Sequence, residues 1–137
     1  MIYAIGYQKM TLGNLLSIME AKDIRLLADV RSIPYGRKHE FNRRRLEAAL
    51  GNRYVWKGDL LGGKYGPAKA EGLKWLIETG EKENVLIMCM EGHPCDCHRL
   101  YDIARRLGLR GVDVVHFYDG EKTTKEMEVI CSERKKR

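Results

Sequence analysis

The chemistry in this chain is concentrated in one run, Cys89-Met90-Glu91-Gly92-His93-Pro94-Cys95-Asp96-Cys97-His98-Arg99. It holds three of the four cysteines, two of the four histidines, two carboxylates and an arginine. A cysteine becomes a nucleophile as its thiolate, which a neighbouring base, a cation or a helix N-terminus favours. Cys89 and Cys97 are therefore candidate catalytic thiolates. His98 or His93 stands near them as a base, and Glu91 or Asp29 can orient groups or move protons. Arg99 can hold a phosphate or carboxylate with two parallel hydrogen bonds. The same side chains are soft-metal ligands, and Cys89, His93, Cys95 and Cys97 form an alternative zinc set with His98 beside it. The Cys95–Cys97 spacing of one intervening residue, with no second pair elsewhere, departs from the usual paired knuckles of structural zinc sites.

A second group, Asp29-Val30-Arg31, opens the main internal basic cluster. From Arg31 to Arg45 six basic residues face a single acid, Glu40. Arg31 reads as an anion-binding residue, and Arg43, Arg44 and Arg45 as a solvated helix face or a nucleic-acid contact. A third group is Gly58-Asp59-Leu60-Leu61-Gly62-Gly63-Lys64. It lacks the glycine-to-lysine interval of a phosphate-binding Walker loop. Gly62 and Gly63 instead allow close approach of backbone to a ligand or a tight turn. Tyr54 and Trp56 read as packing residues, and His39 and His116 as structural or surface residues.

These groups have to be placed by an alternation of short apolar runs and helical patterns. Ile2–Ile5, Leu26–Val30, Arg53–Trp56, Val85–Cys89 and Val112–Phe117 read as strands. Between them lie helical spacings: Leu12, Leu15, Leu16 and Met19 behind a Thr11 cap; Leu46, Ala49 and Leu50 behind an Asn42 cap; Leu73, Leu76 and Ile77 after Pro67. Leu100, Ile103, Ala104 and Leu107 follow a start near Cys97. Thr123 and Glu126 form a capping-box pattern for a last helix through Cys131. Five βα units imply a single-domain three-layer α/β/α sandwich with a mostly parallel sheet of about five strands. In such sheets ligands bind beyond the carboxyl ends of the strands. Gly6 and Tyr7, Asp29 and Arg31, the 57–63 loop, and the 89–99 run all fall there. The convergence predicts an anion-binding cleft formed by Gly6, Tyr7, Arg31, Gly62, Gly63 and Arg99 around the thiols.

At 137 residues the chain is one domain in size, with residues 133–137 expected as a basic flexible tail. No apolar run approaches the roughly 18–20 residues of a membrane helix. The N-terminus does not read as a secretory signal. Cytoplasmic location is therefore expected, and a disulfide framework is not. The net charge of +6 is concentrated in the 31–45 cluster and the 134–137 end, over a slightly acidic remainder. It points first to a local anion site and second to nucleic acid.

Ile5-Gly6-Tyr7, Leu27-Ala28-Asp29-Val30-Arg31-Ser32-Ile33-Pro34, Phe41-Asn42, Leu61-Gly62-Gly63, and Cys89-x-Glu91 with Cys97-His98-Arg99 together resemble the family named domain of unknown function 488, DUF488. Tyr7 stands where that family more often carries histidine, and Cys95 is an addition to its pattern. The resemblance implies a compact α/β domain and no settled reaction. A fainter, fold-level similarity to rhodanese domains implies Cys89 as a persulfide-carrying nucleophile. The expected function is a small enzyme using a thiolate for transfer or hydrolysis on a phosphate- or sulfur-containing substrate, including nucleotides. Its partner would be an anionic small molecule or nucleotide; it would need no cofactor and no membrane. The alternatives are a nucleic-acid-binding module using Arg43–Arg45 and a zinc-binding protein.

Overall fold

The computed structural model describes residues 1–136. Six strands form one sheet in the order β3-β2-β4-β1-β5-β6. They are β1 (Ile2–Gly6), β2 (Leu26–Asp29), β3 (Tyr54–Trp56), β4 (Val85–Cys89), β5 (Val114–Phe117) and β6 (Glu121–Thr123). The first five run parallel, and β6 pairs antiparallel with β5. The central strand β4 is buried along its whole length, as a parallel strand covered on both faces must be.

Alternation along the strands sorts the core into two layers. Ile2, Ala4, Val85, Ile87 and Cys89 face Leu73, Leu76, Ile103 and Leu107. Those residues come from α4 (Ala70–Lys82), from α5 (Arg105–Leu109) and from the stretch before it. Tyr3, Ile5, Leu86 and Met88 face Leu15, Met19, Leu46 and Leu50 on α1 (Leu12–Ala21) and α2 (Arg43–Leu50). The three-layer α/β/α expectation holds.

Several details differ from expectation. The glycine-rich loop contains a single helical turn, α3 (Gly58–Leu61). The helix expected near Cys97 begins as a π-helical stretch, Arg99–Ala104, that runs directly into α5. Asn42 holds the N-cap position of α2 but makes no capping bond there. Its Oδ1 accepts from the Gly36 N–H at 2.7 Å instead and ties down the Pro34–Gly36 turn. The sixth strand follows from Asp119-Gly120, both at positive φ (48° and 91°), which is the backbone a tight hairpin demands. Thr123 and Glu126 close the expected capping box at 3.0–3.1 Å and start α6 (Thr124–Lys135). That helix continues into the stretch expected as a basic tail. Arg134 pairs with Asp96 at 3.0 Å, and Arg137 lies outside the described residues.

Candidate functional site

Two side-chain clusters leave opposite faces of the sheet and meet over the strand ends. The first grows from β2. Asp29 faces the α1/α2 layer and is fully buried. Arg31 grips it with Nε to Oδ1 at 2.8 Å and Nη2 to Oδ2 at 2.7 Å. Tyr54 on β3 donates its hydroxyl to Oδ2 at 2.6 Å. Arg31 donates further to the Tyr7 hydroxyl at 3.0 Å and to the Phe41 carbonyl at 2.7 Å. Burial works against the Arg31 charge, but the Asp29 carboxylate outweighs it and holds the guanidinium above its ordinary pKa. Burial and then Asp29 also raise the Tyr54 phenol. This cluster satisfies itself, because most of the Arg31 donors point into the protein. In this structure Arg31, expected as an anion-binding residue, acts as an internal clamp while also lining the cavity. Tyr54 and Trp56 pack in the α1/α2 layer as expected and also join the clamp through their polar atoms, Trp56 Nε1 donating to the Arg31 carbonyl at 2.8 Å.

The second cluster grows from β4 and the turn before α5. Cys89 and Cys97 bring their sulfurs together as a pair, and Cys95 pairs with Cys131 on α6. The expectation of unpaired thiols is corrected at both places. The Cys95–Cys131 partnership spans 36 residues and depends on α6 folding back over the 94–96 turn. Cys89 and Cys97 are each only 4% exposed.

Arg99 is completely buried. Its Nη1 donates to Cys89 Sγ at 3.2 Å and to the Glu91 carbonyl at 2.7 Å, while its Nε has no partner. Burial pushes the guanidinium down to about 10, partly opposed by Glu91; it remains a cation at neutral pH. Arg99, expected as an anion-binding residue, here directs its side-chain donors at Cys89 and the Glu91 carbonyl. Glu91 contributes its backbone carbonyl to this arrangement. Gly6 is required for a related reason. A Cβ there would run into the Glu91 carbonyl and approach Arg99 Nη2 to 3.0 Å, so Gly6 makes room for the loop.

His98 is fixed from two sides. Its Nε2 lies 3.2 Å from the Val30 carbonyl and 3.0 Å from the Leu61 carbonyl. Carbonyls only accept, so Nε2 carries the proton and Nδ1 is left with a free lone pair. That lone pair faces Cys97 Sγ at 3.7 Å. Burial lowers the imidazole pKa, against the two carbonyl bonds, which raise it. Gly63 lies against the ring, where a Cβ would approach it to 2.8 Å, and Ser32 Oγ occupies the space beside Gly62. The glycine pair lets α3 deliver the Leu61 carbonyl to His98. The close approach seen at Gly63 is to the His98 ring.

Both clusters open into a cavity of about 480 Å³ whose lining includes Tyr7, Arg31, Tyr35, Cys89, Cys97 and His98. That is the size range of small-molecule sites. Of the alternative zinc set, Cys89 and Cys97 converge, but His93 and Cys95 do not join them. His93 Nδ1 accepts from the Cys95 N–H at 3.1 Å and its ring packs on Tyr118. His98 takes their place, with Cys89, Cys97 and His98 presenting ligand atoms within 4.8 Å of one another. Arg43 is held by Glu47 at 3.0 Å and lies over Trp56, whereas Arg44 and Arg45 are exposed. None of the three lines the cavity. Among the described residues no helix is long and apolar enough to cross a membrane.

No curated protein and no solved structure gives a significant match to this chain. The family model of Domain of unknown function DUF488 matches residues 11–67, a span that carries Asp29, Arg31, Gly62 and Gly63 and ends before the cysteines, and it supports the resemblance drawn from the sequence motifs.

Proposed function

We propose that the chain is a cysteine-dependent enzyme that carries out thiol–disulfide transfer on a small sulfur-containing substrate in the 480 Å³ cavity. One observation carries this reading: His98 is locked by the Val30 and Leu61 carbonyls so that its free Nδ1 faces Cys97 Sγ, with Cys89 Sγ alongside. In the reduced protein His98 takes the Cys97 proton. The Cys97 thiolate attacks one sulfur of a substrate disulfide, forming a mixed disulfide, and the departing thiolate takes up the proton from His98. Cys89, held as thiolate beside the Arg99 cation, then attacks Cys97 Sγ. The second substrate thiolate leaves, and the Cys89–Cys97 pair closes. Two electrons pass from the protein to the substrate, and a low-molecular-weight thiol returns them. The Asp29–Arg31–Tyr54 clamp supports the cavity wall and takes no part in bond making.

The test is turnover of small symmetrical disulfides with a thiol as reductant. Cys97→Ser is expected to abolish turnover, and Cys89→Ser to slow it by about 10²-fold or more, the scale on which loss of a positioned reacting group is felt. If both variants turn over like the parent, the thiol mechanism is wrong.

A further inference from the structure

With the Cys89–Cys97 pair reduced, we infer that Cys89 Sγ, Cys97 Sγ and His98 Nδ1 form a three-ligand site for a borderline-soft divalent cation, zinc above all, with its fourth position open to the cavity. The inference rests on the two-thiol reading of this site and extends it from exchange chemistry to metal occupancy. Metal and substrate disulfide then compete for the same two sulfurs.

Four observations carry it. The three donor atoms lie within 4.8 Å of one another, so a single ion can reach all of them. The set, two thiolates and one imidazole, is a known catalytic zinc arrangement that leaves one position free. The imidazole is already held as metal-bound histidines are held, with the far ring N–H given to backbone carbonyls and the near nitrogen bare. The Cα atoms of Cys89 and Cys97 stand 7.7 Å apart, a base from which, once the pair is reduced, both thiolates can sit on one tetrahedral zinc, each about 2.3 Å from the ion and roughly 3.8 Å from the other.

The surroundings fit the charge. Two thiolates cancel the charge of the ion and His98 is neutral. Arg99 Nη1 donates to Cys89 Sγ at 3.2 Å, and the Arg99 backbone N–H to Cys97 Sγ at 3.5 Å. Such N–H donors stabilise a thiolate whether or not it is bound to metal. Binding displaces the remaining thiol protons, at most two per ion, into the buffer.

The experiment is a zinc competition titration against a chromophoric chelator, on the whole chain reduced with a phosphine, followed by cobalt(II) spectra. The expected result is one ion per chain, with affinity at least 100-fold weaker in Cys97→Ser and Cys89→Ser and retained in Cys95→Ser/Cys131→Ser. The parent's cobalt complex should show a thiolate charge-transfer band, reduced by about half in Cys97→Ser. Unchanged zinc affinity in Cys97→Ser, loss of zinc only from Cys95→Ser/Cys131→Ser, or a parent cobalt complex without the thiolate band would each overturn the metal site. Alkylation of the metal-free protein separates the two readings. Rapid iodoacetamide capture of Cys97 with no stoichiometric zinc overturns the metal site and leaves thiol exchange standing. Stoichiometric zinc with a Cys97 no more reactive than an ordinary thiol upholds the metal site and removes thiol exchange.

Discussion

At the scale of single residues, the site depends on which atoms of His98 are occupied. Two carbonyls claim Nε2 and leave Nδ1 to Cys97. That tautomer depends on Gly63, which permits the loop to lie against the ring. Gly63→Ala places a methyl group 2.8 Å from His98 Cγ and moves the ring relative to Cys97. The expected result is a fall of about tenfold or more in the Cys97 alkylation rate, since displacements near 1 Å cost up to ~10²-fold. The circular dichroism spectrum should be unchanged. An unchanged alkylation rate would show that His98 does not activate Cys97. The residue types of the cluster were legible, because cysteine, histidine and arginine crowded behind a buried strand are uncommon in a core. Their roles were not. Gly63 serving His98 across 35 positions of sequence, and Tyr54 serving Asp29, are non-local contacts that spacing does not encode. Arg31 and Arg99 show the same gap. Their guanidinium groups looked available for an anion, yet each turns inward to partners brought by other elements.

Among the elements, the 90–98 turn carries Cys97 and is held from outside by α6. Cys95 joins Cys131, and Asp96 meets Arg134 at 3.0 Å. Closing a loop of this length removes about 3–4 kcal/mol of chain entropy from the unfolded state. Cys131→Ser is therefore expected to lower the unfolding free energy by up to about that amount under non-reducing conditions. Urea denaturation with and without reductant measures it. The parent should lose more stability on reduction than the variant, in which only the short Cys89–Cys97 bridge is left to open. Capping boxes, the parallel strands and their helices were legible from periodicity and caps. The β6 hairpin was missed although Asp119-Gly120 signals it, because strand β6 is short and polar. The π-helical start at Arg99 has no local signature. It carries Arg99, whose side chain reaches back to Cys89.

For the molecule as a whole, the sheet order places β1 and β4 side by side at the centre, with Gly6 level with Cys89. That neighbourhood holds the buried charges, and it has a consequence for stability. His116 on β5 is fully buried, with Nδ1 unpartnered and Nε2 beside Thr124 Oγ1. Burial first, and the Arg99 charge second, push its pKa down to about 4 from an ordinary 6.5. The unfolded chain therefore takes a proton that the folded chain refuses. Its contribution to stability is present above about pH 6.5 and is lost as pH falls toward about 4, on the order of 3 kcal/mol. Urea unfolding from pH 7 to pH 4 should show this slope in the parent and a shallower one in His116→Gln. Equal slopes would remove His116 from the account. Fold class could be read from the alternation of elements. The fate of His116 could not, because Arg99 reaches its neighbourhood only after the sheet has ordered its strands.

The central claim is that Cys97 attacks and Cys89 resolves. Reduced Cys89→Ser protein mixed with a small disulfide should stop at the first step. Intact mass followed by peptide mapping should then show one substrate half per chain, attached at Cys97 and released by reductant. No adduct, or an adduct that forms equally well in Cys89→Ser/Cys97→Ser, would contradict the mechanism.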